Sequence, residues 1–371
     1  MRSRAPYATR HDSEDRMKLG VWTPLPHIIR SEPAMERAIS DLTTPGAGAD
    51  SDRSFELAVD VLRDAEDAGF DITLIAERWL GPDLESWILA SALSQRTRHI
   101  ELMVAVHPGI VTPQAVAKMG ASLDRISGGR LAINVVNGWW PDEMNLFGNG
   151  AWLDDSDKRA ERMGEFIRVL RGLWTNDAFS FRGTHYTVEN GRLPLKPIQT
   201  PPRIYAASRS PSGKELVAET CDVWFADYQP DYRLYDQNMA VLATEIAEMR
   251  EKAAKHGRRL AIGLSAHVIC AETLEQANAE ADELIAYGQQ DRIASIAARG
   301  LGAGLVGTPA LLAERIAAHE RIGIDCLMLR FHPMREGLGT FIARVMPLLG
   351  SRGHTRAVAD DGAPATSLAS R

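Results

Sequence analysis

The stretch HIELMVAVHPGIVTPQAVAKMGASLDRISGGRLAINVVN, residues 99–137, decides the fold. Its first eight residues (99–106) form an apolar run of strand length, too short for a helix. Residues 114–126 then place apolar side chains at helical spacing and stop at Gly128-Gly129. Residues 130–137 return to a second apolar run. Two strands with so little alternation of polarity, joined by a helix, read as a parallel pair buried on both faces.

The same rhythm extends in both directions. Upstream, KLGVWTP (18–24) and DITLIAE (71–77) read as strands, and 55–69 and 84–97 as helices. Downstream, RIYAAS (203–208), DVWFAD (222–227), LAIGLSAHVIC (260–270) and DCLMLRF (325–331) read as strands. Helices are expected over 157–174, 213–220, 235–257, 274–288 and 310–323, the last capped by Thr308 with Pro309 in its first turn. Eight strands alternating with helices predict an α/β chain folded as a (β/α)8 TIM barrel with insertions, in a single domain over residues 17–350. The proline-rich stretch 176–202 is an insertion between the fourth and fifth strands. Residues 1–16 are expected to be a disordered extension, with Met17 a candidate start, and 351–371 a disordered tail.

Composition narrows the function. The chain has 371 residues, 45% hydrophobic and 25% charged, with a net charge of -7. That is an ordinary globular composition, and its sign argues against a general nucleic-acid binder. Three scattered cysteines (Cys221, Cys270, Cys326) give neither metal spacing nor a disulfide framework, and fit a reducing compartment. The first sixteen residues lack the apolar core of a secretory signal, and no apolar run approaches the length of a membrane span. The expected location is the cytoplasm.

In a barrel the chemistry sits at the C-terminal ends of the strands. Those ends carry Trp22, Glu77-Arg78-Trp79, His107, Asn134, Ser208-Arg209-Ser210, Asp227, His267 and His332. Ser208-Arg209-Ser210 opens into a helix and offers hydroxyls and backbone N–H groups suited to a phosphate. The same Ser210 could equally be a helix cap alone. His107 and His267 are candidates for proton handling, but no HxH or HxxxH pair suggests a metal. Gly302-x-Gly304-x-x-Gly307 matches a dinucleotide fingerprint only formally, because no strand precedes it. It reads instead as a mobile loop over the barrel mouth, which leaves no nicotinamide-binding unit.

Residues 127–139, SGGRLAINVVNGW, resemble the bacterial luciferase-like flavin monooxygenase superfamily. So do LDRISGGR, EFIRVLRGLW, the segment 206–210, LVGTP and VMPLLG, in order along residues 17–350. The resemblance is to the two-component branch of alkanesulfonate, dimethylsulfone and pyrimidine monooxygenases. It implies reduced FMN delivered by a separate NAD(P)H:flavin reductase, O2 and a small-molecule substrate as reactants, and a homodimer or homotetramer. It assigns Asn134, Glu143, Arg159, Ser208, Arg209, Ser210 and Arg78 to the cofactor site. Asn134, His107 and His267 become the catalytic candidates, with His107, at an ordinary pKa of about 6.5, moving the proton. Trp79, Trp139 and Val104 would exclude water.

Departures bear on the substrate. Ala160 stands where these relatives usually have a Tyr, so one phosphate hydrogen bond is missing or replaced. Ser265, Leu84 and His332 stand where the sulfonate enzyme's pattern has Arg, Cys and Tyr, although the neighbouring His267 is kept, and this argues against an alkanesulfonate. Val104 stands where the pyrimidine enzyme has an oxygen-guiding Thr. The implied reaction is oxygenation, and possibly cleavage, of a small organic compound, organosulfur favoured. Alternatives are a deazaflavin- or flavin-dependent oxidoreductase on the same barrel, and a ring-cleaving or lyase enzyme acting on a heterocycle.

Overall fold

The structure is a computed structural model, and it describes residues 16–23, 54–80, 84–138, 140–229, 231–289 and 298–350. The segments 1–15 and 351–371, together with Trp139, lie outside these, so the expectations for the two ends and for that tryptophan fall beyond the described residues. Arg16 is described and pairs with Asp71, while Met17 is buried and its N–H donates to Glu320. The folded body therefore begins at or before residue 16.

Eight parallel strands close a barrel. In chain order they are β1 (Lys18–Trp22), β2 (Ile72–Ile75), β3 (Glu101–Val106) and β4 (Leu131–Val135), and then, after an inserted hairpin, β7 (Arg203–Ala207), β8 (Val223–Phe225), β9 (Ala261–His267) and β12 (Cys326–Arg330). Around the barrel the order is β1-β12-β9-β8-β7-β4-β3-β2. The intervening helices include α1 (Ser54–Asp67), α2 (Ser86–Ser94), α3 (Pro113–Ser127), α4 (Pro141–Phe147), α5 (Ser156–Thr175), α6 (Pro211–Thr220), α7 (Tyr235–Lys255), α8 (Leu274–Gly288), α9 (Pro309–Arg321) and α10 (Met334–Arg344). The predicted strands and the predicted helices are all present. The short α4 and the closing α10 were not anticipated.

Period-2 parity along each strand separates two cores. Outward residues such as Leu19, Val21, Val104 and Ile133 pack under the helices. Inward residues (Ile72, Leu74, Met103, Ala132, Tyr205, Val223, Cys326, Met328) fill the barrel. Gly20 is part of that filling, because a Cβ there would lie 2.0 Å from Met328 Sδ. Above this plug five inward positions are small or polar (Ala76, Ala105, Asn134, Ala207, Ser265), which opens space at the C-terminal end.

The insertion is more ordered than its prolines suggested. It forms an antiparallel hairpin, β5 (Phe179–Arg182) with β6 (Thr187–Gly191). The buried Glu165 carboxylate on α5 accepts from the N–H groups of Thr184, His185 and Tyr186 at 2.6–3.0 Å and ties the hairpin down. Buried Asp124 does the same for the return segment, accepting from Ile198 N–H and Gln199 N–H at 2.6 and 2.9 Å. In the LDRISGGR motif, Arg130 is structural: it donates to Ser94 O, Thr97 Oγ1 and Ser127 O at 2.7–2.9 Å.

The glycine-rich segment is not an exposed loop. Leu301 and Leu305 are buried, and β11 (Val306–Gly307) pairs in parallel with β10 (Ile269–Cys270). Among the described residues no helix is long and apolar enough to cross a membrane.

Candidate active site

A cavity of about 670 Å³ occupies the C-terminal mouth of the barrel. Seven of the nine predicted site residues line it: Arg78, His107, Asn134, Arg159, Ser208, Arg209 and Ser210. Glu143 and His267 do not.

One end is built for an anion. Ser210 begins α6, and its Oγ accepts from Gly213 N–H at 3.1 Å, so the hydroxyl is indeed a helix cap. Ser210 Oγ also lies 3.2 Å from Ser212 Oγ, which donates to Asp157 at 2.6 Å. Ser208 Oγ is pressed against the same helix start, where a Cβ on Gly213 would meet it at 1.9 Å. Arg209 reaches Asp227 at 2.9 Å and remains largely exposed. Arg159 lies over the Trp152 ring at 4.7 Å and donates to Leu153 O and Asp154 O. The hydroxyls, guanidinium groups and helix N-terminus supply the donors that a phosphate needs. At Ala160, where the resemblance would place a tyrosine, the neighbouring backbone is occupied by Asn137: with its amide oriented to satisfy both ends, it donates to Arg159 O at 2.6 Å and accepts from Ala160 N–H at 3.3 Å.

The middle of the cavity presents Asn134 and His107. Asn134, inward on β4, has no side-chain hydrogen bond among the described residues. His107 is 4% exposed, and its Nδ1 is buried without a partner. Burial first, and the nearby Arg78 second, lower its pKa to about 4. The imidazole is therefore neutral at pH 7 and can offer one N–H and one lone pair. In this form the ring can accept a proton at its lone pair and donate a hydrogen bond from its N–H.

Two assignments change with depth. Glu143 is 3% exposed, and its Oε1 accepts from Arg78 Nε at 2.7 Å and from Leu80 N–H at 3.2 Å. It positions Arg78, whose guanidinium lies 3.5 Å from the Trp140 ring centre, and does not itself reach the cavity. His267 is 2% exposed, its ring lies 6.5 Å from that of His332, and both ring nitrogens lack partners among the described residues. Burial chiefly, with His332 and Arg330 adding repulsion, lowers its pKa to about 3. It is a buried neutral histidine in this structure, outside the cavity wall.

The water-excluding residues change as well. Val104 faces the helices, and the cavity residue of β3 is Ala105. Trp79 stacks on Phe147 at 5.2 Å outside the cavity. Trp22, Trp152 and Phe225 line it instead.

On the far wall Trp22 was anticipated from its strand end, whereas Arg330, Arg299 and Tyr228 were not. Trp22 Nε1 donates to Ser265 Oγ at 3.1 Å, and the Arg330 guanidinium lies 3.3 Å from the Trp22 ring centre. Arg299 and Tyr228 complete this side. Arg330 ends β12 at the parity of Cys326 and Met328, a signal that points a charge into the barrel. Among the described residues no cluster of histidine, cysteine and carboxylate groups could hold a metal.

Comparison with known proteins agrees with this geometry. The family described as luciferase-like monooxygenase matches residues 35–326. An FMNH2-dependent dimethylsulfone monooxygenase of Pseudomonas putida is 31% identical over 319 residues, covering 77% of this chain and 85% of that protein. Among solved structures, an EDTA monooxygenase from Chelativorans sp. BNC1 superposes with a TM-score of 0.70 at 20% identity, covering 91% of this chain and 94% of that one. A riboflavin lyase solved with modified FMN and riboflavin gives 0.69 at 18% identity, covering 90% and 91%.

Proposed function

The chain belongs to the luciferase-like monooxygenase family, and from that premise we propose that it is a two-component monooxygenase using reduced FMN and O2 to oxygenate a small organic substrate. The observation that carries the reading is the cavity itself: an anion cradle at one end, unpaired hydrogen-bonding groups on Asn134 and His107 in the middle, and room for a flavin between them. A drug-sized cofactor needs a cleft of this volume.

Ser208, Arg209, Ser210 and Arg159 would hold the FMN phosphate, and Arg78, Asn134 and His107 would face its ring. Reduced FMN supplies two electrons to O2 when bound. The chain's own part is to orient and to exclude water. Asn134 can donate to a carbonyl or oxygen atom and accept from a ring N–H. His107, neutral, can hold a hydrogen bond at the reacting face without adding charge. Trp22, Trp152 and Phe225 wall the site from solvent.

An NAD(P)H:flavin reductase would supply the cofactor. Organosulfur compounds lead as substrates, on the likeness to the dimethylsulfone enzyme. We also place the protein in the cytoplasm, consistent with three free cysteines. Self-association is supported by large apolar side chains exposed on α2 and α4, among them Ile88 and Leu146.

Asn134→Leu tests the reading. With a reductase present and a panel of small organosulfur compounds, it should cut product formation by about two decades, the scale for losing one preorganised donor. Hydrogen peroxide should still form, because reduced flavin reacts with O2 unaided. Normal coupling of oxygen to product in the variant would remove Asn134 from the chemistry.

A further inference from the structure

Arg330 ends β12 and is 4% exposed, yet its guanidinium makes no hydrogen bond or ion pair among the described residues. Burying a cation without a counter-charge is strongly unfavourable, and a position that needed only filling would be better served by methionine or leucine. The groups acting on it electrostatically are the Tyr228 phenol and a second guanidinium, Arg299, which adds repulsion. Arg299 lines the same wall and likewise has no carboxylate partner there. The carboxylates that do line the cavity are engaged elsewhere: Glu77 accepts from Ser86 N–H at 2.7 Å, and Asp227 pairs with Arg209 at 2.9 Å.

The cradle for the cofactor phosphate does not satisfy this charge. Arg159 and Ser210 follow β4 and β7, whereas β12 stands across the barrel from β4 in the strand order. Resting on the flavin-monooxygenase reading, we infer that the wall of Trp22, Arg299 and Arg330 seats an oxyanion carried by the substrate, so that the compound oxygenated is a small organic acid. Arg330 and Arg299 supply to this wall the positive charge that Ser265, in place of an arginine, does not. Two guanidinium groups match the planar or tetrahedral oxygens of a carboxylate or sulfonate, and the Trp22 ring holds the Arg330 fork in place. A neutral sulfone would leave both charges uncompensated.

Methanesulfonate and dimethylsulfone provide the test, since they are nearly equal in size and differ by one charge. Binding is measured by calorimetry on protein saturated anaerobically with reduced FMN, and by thermal unfolding of the flavin-free protein. The wild type should bind methanesulfonate more tightly than dimethylsulfone and be stabilised by it alone. Arg330→Gln should weaken methanesulfonate by about ten- to a hundredfold, the loss for charge-assisted hydrogen bonds, with dimethylsulfone and reduced FMN affected less than about twofold. Arg330→Met, which keeps an apolar stem against Trp22, should remain folded and show the same selective loss. Equal binding of the two compounds by the wild type would overturn the inference. So would a loss of reduced-FMN affinity as large as that of methanesulfonate, which would assign the guanidinium to the flavin ring. Failure of the wild type to bind reduced FMN would instead strike the flavin reading, while stabilisation of the flavin-free protein still decides the role of Arg330.

Discussion

Acidification from about pH 6.5 to pH 4 should unfold the protein with a slope of roughly 1.4 kcal/mol per pH unit for each of three buried histidines. Burial, the largest cause in all three, lowers His107 to about 4, His267 to about 3 and His319 to about 4. In the unfolded chain each returns to an ordinary value near 6.5. Between the folded and unfolded values the unfolded chain binds more protons, so stability falls as pH drops through that window and is fully present above it. Together the three approach roughly 4 kcal/mol per pH unit, enough to exhaust a typical stability of 5–15 kcal/mol within a few units. Urea unfolding midpoints measured from pH 7.5 to 4.5 check this. His319→Gln, at a site on α9 outside the cavity lining, should reduce the slope by one proton. A flat midpoint from pH 6.5 to 5 would mean that these rings gain partners or solvent in solution.

Arg78→Met should cost about 3–5 kcal/mol of stability, because it leaves the Glu143 carboxylate buried without its counter-charge. Both side chains are under a tenth exposed, and their contact is 2.7 Å. The informative comparison is the double variant Arg78→Met with Glu143→Met. Removing both charges should recover most of the loss, since an apolar pair of similar volume suits a buried site. If the double variant is no more stable than the single one, Arg78 acts through its stacking on Trp140 and not through the ion pair.

The barrel was legible because parallel strands buried on both faces leave short apolar runs that nothing else explains. DITLIAE and RLAINVVN need no context to be read. The hairpin at 179–191 was not legible, since FSFR and TVENG bury little and are held by Glu165 and not by their own pattern. In α10, two glycines in MREGLGTFIAR masked the helical spacing. At the site, strand ends located Asn134, His107 and Ser208–Ser210 correctly on the cavity. They misled at His267, whose fully buried ring lies beside His332 and outside the cavity lining. They misled at Val104 by one residue of parity. Arg330 was overlooked although the parity of its strand aims it inward, since an arginine ending an apolar strand usually reads as a solvated edge.

The most direct measurement is an anaerobic titration of the purified chain with reduced and with oxidised FMN, followed by NADH consumption with and without an added flavin reductase. Stoichiometric binding of reduced FMN, tighter than of the oxidised form, is the expected result, with NADH consumed only when the reductase is present. Rapid NADH oxidation by the chain alone, or no preference for the reduced flavin, would contradict it.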